Sequence, residues 1–241
     1  MLSPFDLPDG IFLLITDELP SPADFALHQC LISHAKEKKD SLRIVLSVSQ
    51  SLTKWQSISG KSSVTISQQI TAKTFHLIDV SSGLESDKIT SDPLHALYEQ
   101  VAAVLETYSQ GPDALVILDD ISALEWIGYS TSGLFRLCRA LRALCLKNNA
   151  TLLVRHHIVT PGNLDRLFRD VYSLCTHHLD IQPLTSGRSG AVSGQIALHL
   201  GPNASSVQPA IKVRSRSTAL QYRLTDGSAL FFERGSSRGV L

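Results

Sequence analysis

An apolar run that ends in two acids, Ala114-Leu-Val-Ile-Leu-Asp119-Asp120, constrains this chain more than any other segment. A buried strand of this kind is how a phosphate-loop nucleotide enzyme presents a carboxylate to the magnesium ion on its nucleotide. It works together with an earlier Gly-x-x-x-x-Gly-Lys-Ser/Thr loop, whose backbone N–H groups and lysine hold the phosphates. Here the first apolar run, Gly10-Ile-Phe-Leu-Leu-Ile-Thr16, leads instead into Asp17-Glu-Leu-Pro-Ser-Pro-Ala-Asp24. That loop carries three carboxylates and two prolines and has neither glycine nor lysine. Such a loop repels phosphate, so assembly rather than catalysis is expected.

The remaining pattern tells what the acidic strand is embedded in. Strands are expected over residues 11–16, 42–48, 74–80, 114–118 and 151–154. Helices are expected over 23–39, 51–59, from Asp92-Pro93 to about 108, and 132–147. Phe25, Leu27, Leu31 and Ile32 recur on one helical face, as do Leu134, Leu137, Leu141 and Leu144. Asp92 before Pro93 is the favoured order of cap and first-turn proline. Alternating strands and helices imply a mostly parallel sheet covered on both faces. The last third reads differently, with antiparallel strands at 171–181, 195–200, 220–225 and 228–232, the last two joined by the hairpin signal Asp226-Gly227. The expected fold is one α/β domain over residues 1–241 of RecA-like type. Its parallel part covers about 1–155 and its antiparallel part about 170–241.

With 241 residues, 43% of them hydrophobic, a substantial core is available. The formal net charge is zero, so no whole-molecule field draws the chain to nucleic acid or membrane. Nucleic-acid contact would need a local patch. The four cysteines, Cys30, Cys138, Cys145 and Cys175, form no Cys-x-x-Cys pair and read as buried free thiols of a reducing compartment. Neither a secretory leader nor a membrane span is visible, so a cytoplasmic location, extending to the nucleus, is expected.

Several constellations have a plain structural reading beside a functional one. Gly60-Lys61-Ser62-Ser63 mimics the end of a phosphate loop, but the glycine required five residues earlier is Trp55, and the stretch follows a helix rather than the first strand. Asp119 and Asp120 could hold a metal; with no phosphate loop the better reading is strand termination and a turn cap, with one of the two solvated. His156-His157 and His177-His178 each point to opposite faces of a strand and cannot chelate one ion, so no metal site and no cofactor is expected. No Gly-x-Ser-x-Gly elbow offers a nucleophile. Lys212-Val-Arg214-Ser-Arg216 alternates cations along one expected strand face, as a solvated edge or a nucleic-acid backbone contact.

Four segments carry a resemblance to a known family. They are Arg43-Ile-Val-Leu-Ser-Val-Ser-Gln-Ser-Leu-Thr-Lys-Trp55 with Gly60-Lys61, Leu115-Val-Ile-Leu-Asp-Asp-Ile-Ser-Ala-Leu-Glu-Trp-Ile-Gly128, Leu134-Phe-Arg-Leu-Cys-Arg-Ala140, and the terminal Tyr222–Gly235 hairpin with its closing Val-Leu. Together they resemble the Elongator complex protein 6 family, RecA-like subunits without nucleotide motifs. The resemblance implies a heterohexameric ring with Elongator complex proteins 4 and 5. That ring binds tRNA and serves a catalytic Elongator subcomplex, which places 5-carboxymethyl-type groups on wobble uridines. It implies no enzyme activity for this chain. Two other readings compete: a RecA-like recombination or DNA-repair paralogue acting on single-stranded DNA, and a degenerate ATPase using Gly60-Lys61-Ser62. The first would normally keep a phosphate loop; the second needs a strand order the pattern does not provide.

Overall fold

The computed structural model describes residues 8–80, 92–108, 113–184, 192–204 and 213–234. Its strands are β1 (Phe12–Glu18), β2 (Arg43–Ser47), β3 (Phe75–Asp79), β4 (Leu115–Asp119), β5 (Thr151–Ile158), β6 (His177–Gln182), β7 (Gly194–Leu200), β8 (Leu220–Leu224) and β9 (Ala229–Phe232). Its helices are α1 (Asp24–Glu37), α2 (Leu52–Lys61), α3 (Ile66–Thr71), α4 (Pro93–Thr107), α5 (Ile121–Trp126), α6 (Thr131–Lys147) and α7 (Arg166–Tyr172). The strands form one nine-stranded sheet in the order β3-β2-β4-β5-β1-β6-β7-β8-β9. From β3 through β6 every pairing is parallel; β7, β8 and β9 continue antiparallel.

The two faces of the sheet follow from side-chain alternation. Leu13 and Ile15 of β1, Leu115 and Ile117 of β4 and Leu153 of β5 face α1, α2 and Trp55. Phe12 and Leu14, Val116 and Leu118, and Leu152 and Val154 face α4, α5, α6 and α7. Trp55, where a phosphate loop would need glycine, is wholly buried, and removing its ring would cost about 3–5 kcal/mol. Arg43 is also buried; its guanidinium donates to the carbonyls of His34 and Lys38 at the end of α1, alongside the backbone N–H groups of Lys38 and Ser41.

Three expectations change. Residues 171–181 are not one antiparallel strand. Asp165 accepts from the Phe168 N–H at 2.6 Å and starts α7, whose Leu167, Phe168 and Val171 are buried at helical spacing. The chain then returns as β6, parallel to β1 and antiparallel only to β7. The short helices α3 and α5 also lie outside the expected elements, and β5 runs four residues further than expected, to Ile158. The Asp226-Gly227 turn does join β8 to β9. The Gly111-Pro112 break expected after α4 lies outside the described residues.

Candidate functional site

β5 lies between β1 and β4, so residues at the carboxyl ends of these three strands meet. In register, Ile15 lies beside Arg155, Asp17 beside His157, and Leu118 beside Val154, which brings Asp119 level with Arg155. All four polar side chains point to the α1 face. The Arg155 guanidinium, only 4% exposed, is shared by three carboxylates. Nη2 donates to Asp17 Oδ2 at 2.9 Å, and Nη1 donates to Asp24 Oδ1 and Asp119 Oδ1, each at 3.2 Å. Asp24 is further held by Gln50 Nε2 at 2.8 Å and faces Lys54 Nζ at 3.5 Å. His157 bridges the next pair, with Nδ1 2.6 Å from Asp17 Oδ1 and Nε2 3.2 Å from Asp120 Oδ2. The Trp126 ring stacks on the His157 ring at 5.7 Å.

This network takes over what a nucleotide would otherwise supply. The loop between β1 and α1 is where a phosphate would accept backbone N–H groups in a protein with a working site. Here the Ala23 N–H donates to Asp17 Oδ2 at 2.5 Å, so a carboxylate of the chain itself is the anion. Where a magnesium ion would face the end of β4, Asp119 meets a guanidinium. An incoming phosphate would have to displace Asp17 and lie against Asp24. Among the described residues, no group of three or more His, Cys, Asp or Glu side chains is arranged to hold a metal ion.

The electrostatics match. Burial opposes the charge on His157, but its bonds to Asp120 and Asp17 outweigh burial and raise it to about 9, so both ring nitrogens carry protons at neutral pH. Burial pushes the Asp119 carboxyl up to about 6, with Arg155 offsetting only part of the shift. Burial alone would raise Asp24 and Asp120 too. Arg155 and Lys54 hold Asp24 below the ordinary carboxylate range, and His157 with the Ala123 N–H does the same for Asp120.

Against expectation, neither aspartate at the end of β4 is solvated: Asp119 is 0% and Asp120 2% exposed. Asp120 caps α5 by accepting from the Ala123 N–H at 2.6 Å, the cap role expected of the pair. His156 and His157 point to opposite faces, as the alternation requires. His156 lies between Ser122 Oγ and Asp165 Oδ2, at 3.0 Å from each. Lys61 is occupied elsewhere, donating to the Asp226 carbonyl at 2.8 Å in the β8–β9 turn. The cationic row at Lys212, Arg214 and Arg216 does not form as one strand face. Lys212 lies outside the described residues, and Arg214 makes an isolated bridge to Leu198. Arg216 begins a short 3-10 turn, with Nε donating to Asp180 Oδ2 at 2.8 Å. Ser215 and the following turn interrupt the alternation that a continuous strand would need.

Arg155 is the residue that sequence reasoning missed. The visible signal was the sequence Arg155-His156-His157 continuing the apolar run Leu152-Leu-Val154, with Asp17 and Asp119 closing two other strands. Only the strand order reveals that the three meet.

A mostly parallel sheet with helices on both faces, antiparallel strands at one end, and an acid-tipped strand facing the first strand–helix loop defines the RecA-like class. A KaiC-like protein of the hyperthermophilic archaeon Pyrococcus horikoshii OT3 has a similar fold, with a TM-score of 0.65 at 10% identity over 93% of this chain and 91% of that one. The family model for Elongation complex protein 6 matches residues 1–226, and the chain belongs to that family of Elongator subunits. A search of curated proteins finds no match.

Two outcomes test the network. Arg155→Ala leaves buried carboxylates without their cation and should lower unfolding free energy in urea by about 3–5 kcal/mol. Restoring full stability on adding Mg-ATP to that variant is not expected. Stability should also fall as pH rises from 6.5 to 9. The His157 contribution is complete below its ordinary 6.5 and is lost as pH rises through about 9, whereas the cost of ionising Asp119, raised from 3.8 to about 6, is incurred below this window. Thermal melts across that range should show the decline, and His157→Gln should flatten it above pH 6.5.

Proposed function

We propose that this chain is a non-catalytic subunit of a heterohexameric RecA-like ring formed with Elongator complex proteins 4 and 5. In this reading the ring binds tRNA and supports 5-carboxymethyl-type modification of wobble uridines by the catalytic Elongator subcomplex, in the cytoplasm and the nucleus. The observation that carries it is the Arg155 guanidinium among Asp17, Asp24 and Asp119, in a chain that belongs to the Elongator protein 6 family. An internal ion network in place of a phosphate cradle leaves a scaffold rather than a nucleotide enzyme.

A second feature supports assembly. Leu19 is 90% exposed, Val159 68% and Trp126 61%, and Ile127 and Leu164 are exposed with them. All five follow the carboxyl ends of β1, β4 and β5 or the short α5 beyond β4. Exposed apolar residues gathered at one edge mark an interaction surface better than scattered ones do. They surround the sealed site, where a neighbouring subunit would cover both.

Co-expression with Elongator proteins 4 and 5 should give a closed assembly by light scattering. Leu19→Asp with Val159→Asp changes two exposed positions without touching the Arg155 network. The double variant should fold normally and drop out of the assembly. Cells lacking the chain should lose the wobble-uridine modification when tRNA nucleosides are measured by mass spectrometry. A stable monomer in the presence of both partners would contradict the ring; a double variant that assembles like the parent would move the interface elsewhere.

A further inference from the structure

On the opposite face of the sheet from the Arg155 network, α4 and α6 pack against each other and leave a groove of about 330 Å³ between them. Its floor includes Gly133 and Ala140, seven residues apart and so on one side of α6, with Leu94 of α4 packed close over Gly133. Along one wall the His95 and Tyr98 rings, in the first two turns of α4, are stacked, with centroids 6.3 Å apart and planes 11° from parallel. The other wall, on α6, contributes Arg136. α6 carries Arg136, Arg139, Arg142 and Lys147 and no carboxylate in its 17 residues.

The charges in this region are unequally engaged. Arg142 donates to the Gly10 carbonyl at 2.9 Å, and the Arg139 guanidinium lies over the Phe135 ring at 5.8 Å. Arg136, at the groove, and Arg139 are exposed, and neither pairs with a carboxylate among the ion pairs of the described residues. Two carboxylates near the groove, Asp92 and Glu99, are engaged within α4. Asp92 caps α4 by accepting from the Leu94 N–H at 3.1 Å, and Glu99 lies 3.3 Å from His95 Nε2. Arg136 and Arg139 are one turn apart, with Cβ atoms about 5–6 Å from each other.

A slot with stacked rings on one wall and the Arg136 guanidinium on the other, with Arg139 one turn further along α6, fits one ligand chemistry: a planar base joined to a phosphate. Aromatic rings stack on any base, and arginines track the backbone, which is how unpaired nucleotides are held without sequence reading. We propose that this groove holds an unpaired nucleotide of tRNA, with its base on the Tyr98–His95 pair and its phosphate on Arg136 and Arg139. The proposal rests on the tRNA-binding reading given above. It places the contact on α4 and α6 rather than at Lys212, Arg214 and Arg216, where Arg216 is already bound to Asp180.

The test uses the assembled ring with Elongator proteins 4 and 5, titrated by fluorescence anisotropy against tRNA and against single-stranded oligouridine over a salt series. Arg136→Ala with Arg139→Ala should weaken binding about tenfold at low salt and reduce the log–log salt slope by about 1.4, the value for two contacts to a single strand. Tyr98→Ala should weaken oligouridine binding about tenfold, whereas Tyr98→Phe, which keeps the ring, should bind like the parent. His95→Ala, at an exposed position, repeats the test without disturbing the packing around Tyr98. Lys212→Ala with Arg214→Ala and Arg216→Ala should change affinity little. Variant rings that bind with the parent's affinity and slope would overturn the groove and leave the function standing. A loss in the arginine variant with none in Tyr98→Ala or His95→Ala would overturn the nucleotide slot as well. A parent ring that binds no tRNA would overturn the function itself, and the groove's role with it.

Discussion

Everything at the carboxyl edge of the parallel sheet depends on one guanidinium held by three carboxylates. Isolated, any of these charges would be expensive to bury, each ion losing its hydration in a medium that returns little of it. Together they tie β1, the start of α1 and β4 to β5 through bonds of 2.9–3.2 Å. Arg155 suits the position because its planar fork donates to several oxygens at once, which a lysine ammonium on a flexible stem does less well. The arrangement also fixes what can enter. The Asp17 carboxylate occupies the Ala23 N–H, and Asp119 faces an organic cation, so the two elements that hold phosphate and metal in a working site face each other instead.

The same edge presents exposed apolar side chains outward. His157 sits between the buried acids and the exposed Trp126 ring, linking the ion network to the apolar surface formed by Leu19, Val159 and their neighbours. A rigid, filled site gives that surface a constant shape, independent of nucleotide. This is the physical sense in which a RecA-like chain can serve as a scaffold. On the opposite face, the α4–α6 groove brings the His95 and Tyr98 rings near Arg136.

Much of the fold was legible because it is written locally. The apolar runs that became β1, β2, β4 and β5, the Asp92-Pro93 start of α4, the leucine spacing of α6 and the Asp226-Gly227 turn all depend on neighbours within a few residues. The missed elements are short. Six residues of α5 and seven of α7 make too few turns to show a period, and their real signals are the caps Asp120 and Asp165. Without α7, β6 could not be recognised as parallel, because α7 is part of the crossover that returns the chain to the sheet. The Lys212–Arg216 row illustrates the opposite error: alternation over five residues suggested a strand, but the chain turns after Arg214 and Arg216 reaches Asp180. Arg155 was beyond local reading altogether. Its partners lie 138, 131 and 36 residues away, and their meeting is a property of strand order.

The central claim is that the chain's own ion network stands where a nucleotide would bind. Calorimetric titration of the folded chain with Mg-ATP tests it most directly. The account predicts no measurable heat of binding and no change in melting temperature at millimolar Mg-ATP, with Lys61→Ala behaving like the parent. Micromolar binding that disappears when Asp119 is replaced by alanine would contradict it, because the nucleotide would then be reaching the site that Arg155 is said to fill.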